Sequence, residues 1–60
     1  GETMTFADLW DLSTWEERHT FLVANGWDSS YAIDVSIGYN RFDDLPKLNQ
    51  EEIMATWEKK

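Results

Sequence analysis

The chain carries a single histidine, His19, with Ser13, Thr14 and Thr20 close to it in sequence. A hydroxyl nucleophile needs a base within hydrogen-bond reach and a third group to orient that base. Any such triad would rest on this one imidazole, and no Gly-x-Ser-x-Gly turn is present to lift a serine clear of its neighbours. At helical spacing His19 shares a face with Trp15, Leu22 and Val23, which reads as a half-buried packing position. Carboxylates come in pairs at Asp8/Asp11, Glu16/Glu17, Asp43/Asp44 and Glu51/Glu52. Acid–base hydrolysis with two carboxylates requires a cleft that raises one pKa, and a chain this short seldom encloses one. Glu16, Glu51 and Glu52 fit helix starts instead. Asp28 to Asp34 lacks the alternating oxygens, central glycine and closing glutamate of a calcium loop. Gly1, Gly26 and Gly38 never cluster into a phosphate cradle, and there is no cysteine for a disulfide, a zinc–thiolate site or a thiol nucleophile. The expectation is a non-enzymatic protein with no cofactor and no metal.

Those residues must be positioned by very little chain. Sixty residues make one small domain. Gly1-Glu2-Thr3 ahead of Met4 reads as a cloning remnant, leaving 4–60 as a single small helical domain. The clearest element is the last: Asn49 as N-cap, Glu52 three residues on to complete a capping box, and Leu48 to staple onto Ile53. Ile53, Met54 and Trp57 make one apolar stripe, and Lys59-Lys60 suits the negative end of the macrodipole, so a helix is expected from about Gln50 to Lys59. A second helix is expected from about Thr14 to Asn25, with Ser13 as cap, Glu16 closing the box and Gly26 left-handed just past the end. Trp27 would fold back on Leu22. Phe21 and Ala24 lie off the Trp15/His19/Leu22/Val23 face, which implies cover on more than one side. Thr5 caps a short helix through Leu12, placing Phe6, Leu9 and Trp10 together at helical spacing.

Residues 30–40 admit two readings. Tyr31, Ile33, Val35, Ile37 and Tyr39 alternate with smaller or polar residues, the period of a strand. Yet Asp28-Ser29-Ser30 is a capping cluster, and no other segment alternates to pair with a strand whose backbone groups need partners. A buried helix is the favoured reading, and Phe42 to Lys47 is then a connection with turn chemistry at Asp43-Asp44 and Pro46. The fold class is therefore all-α: a short N-terminal helix plus a compact three-helix arrangement. The alternative is α+β, with 31–39 as a strand paired across a dimer.

Of the 60 residues, 42% are hydrophobic and 15% aromatic, too rich for an acidic disordered tail. No stretch approaches the ~20 apolar residues of a membrane span. Twelve acids against five bases give a net charge of −7, which argues against direct nucleic-acid binding and against an anionic membrane surface. Burial barely offsets ordering entropy at this length, so stability must come from a dense aromatic core, a homodimer, or both. No basic region followed by an apolar run is visible near the start, and cysteine is lacking; both suit a cytoplasmic setting.

Two stretches resemble known families. Phe6-Ala7-Asp8-Leu9-Trp10-Asp11-Leu12 is similar to the acidic transactivation helix by which a tumour suppressor docks into a groove of its ubiquitin ligase. That family sets Phe, Trp and Leu at i, i+4 and i+7. Phe6 and Trp10 match, while the third position is Ser13, with Leu12 one place early. Leu22 to Val35, with Asn25-Gly26-Trp27 followed five residues later by Ala32, resembles the first-loop region of ubiquitin-associated domains. Those are three-helix modules in which a Met-Gly-Phe/Tyr loop and the last helix contact ubiquitin. The resemblance implies a compact helical fold and a contact role for Gly26 and Trp27; Asn25 stands in the place of the Met, and 40–49 is longer than the family's second loop. In size, acidity and lack of a catalytic set the chain also resembles phage and mobile-element accessory proteins. The functional expectation is a small acidic protein–protein interaction module. Phe6, Leu9, Trp10 and Trp27 are its contact residues, since aromatic anchors dominate interfaces while acids steer encounter. The alternative is an acidic DNA mimic that occupies a nucleic-acid-binding protein.

Overall fold

The computed structural model of the chain describes residues 3–59. Of the expected remnant only Thr3 is among them, and Lys60 of the terminal basic pair also lies outside the described residues. Four α-helices and one 3-10 turn, with no strand among the described residues, establish the all-α reading: α1 (Phe6–Leu12), α2 (Trp15–Ala24), α3 (Ser29–Ile37), a 3-10 turn at Phe42–Asp44 and α4 (Lys47–Glu58). The alternating stretch 31–39 is therefore not a strand. Asp28 decides the matter, its carboxylate accepting the amide N–H groups of Ser30 and Tyr31 to start α3. The apparent alternation then distributes around a helix, with Ala32, Val35 and Ser36 inward and Ile33 and Ile37 outward.

Local chemistry sets each boundary. Thr5 and Asp8 form a reciprocal capping box on α1. At α2 the box is Thr14 with Glu17, one residue later than the Ser13/Glu16 reading. Ser13 is otherwise occupied, its hydroxyl donating back to the Leu9 carbonyl at 2.7 Å to close the end of α1. Helix α2 stops as expected. Gly26 takes φ +96°, the Gly26 N–H donates to Val23 O and the Trp27 N–H to Leu22 O, which satisfies two terminal carbonyls. At α4 the Asn49 cap and its box with Glu52 do not form. Pro46, with φ fixed near the helical value, lets the helix begin a turn earlier at Lys47. Asn49 and Glu52 turn their side chains to Tyr31 instead, and Leu48, expected to staple onto Ile53, is 68% exposed.

The core holds Trp10, Leu22, Ala32, Val35, Phe42, Leu45 and Ile53, with Phe6, Phe21, Trp27, Tyr39 and Met54 packed around it. Buried among them is one guanidinium. Arg18, 7% exposed, donates from Nε to Trp10 O at 2.8 Å, and its terminal nitrogens donate to the carbonyls of Asp11, Ser36, Tyr39 and Asn40 at 3.3–3.5 Å. Its carbon lies 5.2 Å from the centroid of the Trp10 ring. The carbonyls at the ends of α1 and α3 are the groups a helix leaves unpaired, so a single cation serves the C-termini of two helices. This tie fixes the first turn of α2 beside the last turns of α1 and α3, and α2 and α3 run as an antiparallel hairpin.

Candidate protein-docking groove

Helix α2 divides the molecule into two flanks. Its buried line is Arg18 and Leu22; Phe21 and Glu17 lie to one side, and Trp15, His19 and Val23 to the other. The face read from sequence as the core side of α2 is thus largely the exposed side, with Trp15 45% and Val23 39% exposed. Burial of Arg18 turned the helix, because the carbonyls it serves lie inside.

On the Phe21 side, α1 and α4 approach and five rings meet. Phe6 is the hub: its ring centroid lies 4.9 Å from Trp57, 5.7 Å from Phe42, 6.0 Å from Trp10 and 6.1 Å from Phe21. Trp57 and Phe21 are 6.1 Å apart. Tilted and edge-on aromatic pairs at these distances are the favourable arrangements. The cluster leaves a cleft of about 160 Å³ lined by Phe6, Leu9, Trp10, Phe21 and Trp57, with Ser13, Glu17 and Arg18 completing the wall. Across Glu17 and Phe21 it continues into a shallower depression bounded by Glu16 and Thr20. Along this groove the exposed ionisable side chains are Glu16 and Glu17, since Arg18 is committed to backbone carbonyls. The result is an apolar trough with an acidic rim.

Three of the four residues expected to make contact meet here. Phe6 and Leu9 form the α1 wall, Leu9 being 40% exposed. Trp10 is corrected: at 3% exposure it belongs to the core and contributes only to the floor. Its indole N–H has no acceptor among the described residues, an arrangement that costs about 1–3 kcal/mol. Trp27 lies elsewhere. It stacks on Tyr31 at 5.2 Å with an interplanar angle of 11°, and its indole N–H donates to Thr56 Oγ1 at 2.9 Å. Phe21 and Trp57 were not expected in the site. The off-face position of Phe21 on α2 was the available signal; for Trp57, membership in an apolar stripe pointed to the core.

Two further polar clusters complete the surface. His19 Nε2 and Ser29 Oγ lie 3.1 Å apart and bridge α2 and α3, and among the described residues no carboxylate is bonded to the ring to orient it as a triad needs. The Tyr31 hydroxyl donates to Glu52 Oε1 at 3.1 Å and accepts from Asn49 Nδ2. Desolvation of the ring raises the Tyr31 pKa above its ordinary 10.0, helped by the hydrogen bond to Glu52 and the charge of that carboxylate, while Asn49 opposes them. Among the described residues no three metal-ligating side chains gather, and no helix is long and apolar enough to cross a membrane. No protein-family model, curated protein or solved structure matches this chain.

Proposed function

We propose that the chain is a small, acidic, non-enzymatic protein–protein interaction module whose trough between α1, α2 and α4 receives an apolar anchor flanked by basic residues on a partner protein. The observation that carries this reading is the conjunction of Phe6, Leu9, Phe21 and Trp57 around a cleft whose exposed charges are Glu16 and Glu17. Aromatic walls supply affinity through desolvation, and one-signed carboxylates select and steer a cationic segment. A net charge of −7 strengthens that steering over the whole surface. An accessory role in the cytoplasm, of the kind phages and mobile elements encode, is consistent with size and charge.

The test uses an amidated amphipathic peptide with leucines on one helical face and lysines on the other, followed by tryptophan fluorescence. Binding is expected to weaken as salt rises and to fall at least about tenfold in Leu9→Ser. An equally tight complex with the glutamate version of the peptide, or indifference to Leu9→Ser, overturns the reading. An acidic DNA mimic would behave differently: Leu9→Ser would leave its target affinity intact, while charge reversal at Asp43 and Asp44 would abolish it.

A further inference from the structure

Among the described residues, the deeper cleft of the trough and the shallower depression beside it have two side chains in common, Glu17 and Phe21. These stand four residues apart on α2, the spacing that places side chains together along one helical face. Phe21 is half-buried in the aromatic cluster, its ring 6.1 Å from Phe6 and from Trp57, while Glu17 is exposed. The carboxylate beside that ring is not a loose surface charge. Glu17 Oε1 accepts the Thr14 N–H at 2.9 Å, and the Glu17 N–H donates in return to the Thr14 hydroxyl at 3.2 Å. The capping box thus anchors one carboxylate oxygen, and Oε2 has no hydrogen bond among the described residues. Glu16 differs on both counts. It borders the shallower depression alone, and among the described residues no hydrogen bond fixes its side chain.

We infer that Glu17 and Phe21 together receive one lysine or arginine side chain of the partner, carried next to the apolar anchor that fills the deeper cleft. The inference rests on the trough being the docking site and names the carboxylate that reads the partner there. A long cationic side chain has two parts with opposite needs: its methylene stem gains by leaving water, and its charged head does not. The stem packs along the Phe21 ring, and the head meets Glu17 Oε2. A carboxylate already held by its own helix cap has little rotamer freedom left to lose, so it pairs at lower entropic cost than an unanchored glutamate. Because Glu17 also walls the cleft, its cation sits directly beside the anchor; on a helical partner that means three or four residues away. The pair also rejects. An acidic side chain in that place would face Glu17 and Glu16 together, and an apolar one would strip water from Glu17 without replacing it.

Fluorescence titration of the whole chain with the amidated leucine–lysine peptide tests this. Glu17→Gln is the decisive variant, because glutamine at this position keeps both halves of the capping box while removing the charge. Its helical circular dichroism should be unchanged and its affinity should fall about fivefold. Glu16→Gln should lose less than half as much. Asp34→Asn, an equal change of charge on α3 outside both hollows, should lose less than about twofold. A peptide in which only the lysines bordering the leucine row become glutamine provides an arm that no folding defect can imitate. The natural protein should bind it about fivefold more weakly, and Glu17→Gln should scarcely distinguish the two peptides. Equal losses at Glu17, Glu16 and Asp34, or independent effects of the protein and peptide substitutions, overturn the inference. With Leu9→Ser still weakening binding, they leave the trough standing as the docking site, reached through its diffuse field alone. Indifference to Leu9→Ser overturns both.

Discussion

Two of the polar ties between the helices of this protein differ in almost every physical respect. Arg18 is buried, carries a full charge and serves five backbone carbonyls from three segments of chain. Tyr31 is 41% exposed and neutral, and it bridges α3 to two side chains of α4. Burial lowers the Arg18 pKa below its ordinary value, with Asp11 acting the other way, yet a guanidinium remains charged at any physiological pH. The lesson is about replaceability. Water can take over at the tyrosine, whereas the guanidinium's bonds to Trp10 O and Ser36 O are buried.

The largest effect should therefore come from Arg18→Met. The substitution conserves stem volume but strands helix-terminal carbonyls at about 1–3 kcal/mol for each one left dry. A total loss of about 3–5 kcal/mol is comparable with the whole stability of a domain this small. Far-UV circular dichroism at room temperature should report a largely unfolded chain, and Arg18→Lys should restore only part of the signal, since an ammonium cannot span the same set of acceptors. A fully folded Arg18→Met protein would remove the contrast between the two ties.

An intermediate effect is expected at the turn that sets how α2 meets α3, and so how far each tie must reach. Gly26 stands at φ +96°, and a Cβ built there would meet nothing within 4 Å. The cost of Gly26→Ala is thus pure backbone strain, about 1–2 kcal/mol, with no steric clash to add. A thermal midpoint lowered by about 5–15 °C would agree; an unchanged midpoint would mean the turn relaxes freely and the hairpin is less constrained than its hydrogen bonds imply.

The same contrast explains how much could be read from sequence. Helix stops and starts governed by adjacent residues were legible: Thr5 on α1, Gly26 after α2 and Asp28 before α3 all act within a few positions of themselves. The errors arose where a side chain had a distant claim on it. Asn49 and Glu52 have the spacing of a capping box, but Tyr31, across the α3–α4 contact, engages both. Arg18 drew no reading at all, because nothing nearby in sequence reveals that two helices would end around it; with Arg18 turned inward, Trp15 lies outside. Trp10 shared the i, i+4 spacing with Phe6 that suggested a docking helix, and that spacing does not say which ring faces in. The trough was half visible, in Phe6 and Leu9, and half dependent on Phe21 and Trp57 arriving from other helices.

Tyr31→Phe should give the smallest change. The substitution removes one hydroxyl and with it two surface bonds, the one donated to Glu52 and the one accepted from Asn49, so a net loss of about 0.5 kcal/mol is expected, about 2–4 °C in the thermal midpoint. The ring survives, and with it the stack against Trp27. The pH dependence sharpens the point. The folded-state pKa of Tyr31 lies above that of the unfolded chain, so folding holds its proton more tightly. Its contribution is fully present below the ordinary value of 10.0 and declines as pH climbs through the raised value, where a phenolate would face the Glu52 carboxylate. Natural protein and Tyr31→Phe should therefore differ by this small amount near neutrality. In strong alkali the natural protein should fall below the variant, because only it acquires the repulsion. Ultraviolet titration of phenolate absorbance, run beside thermal melts at each pH, measures both quantities. If the two proteins lose stability in parallel up to the alkaline limit, the phenol–carboxylate pair contributes nothing, and α4 is held by the Trp27–Thr56 bond and the packing of Ile53 in the core.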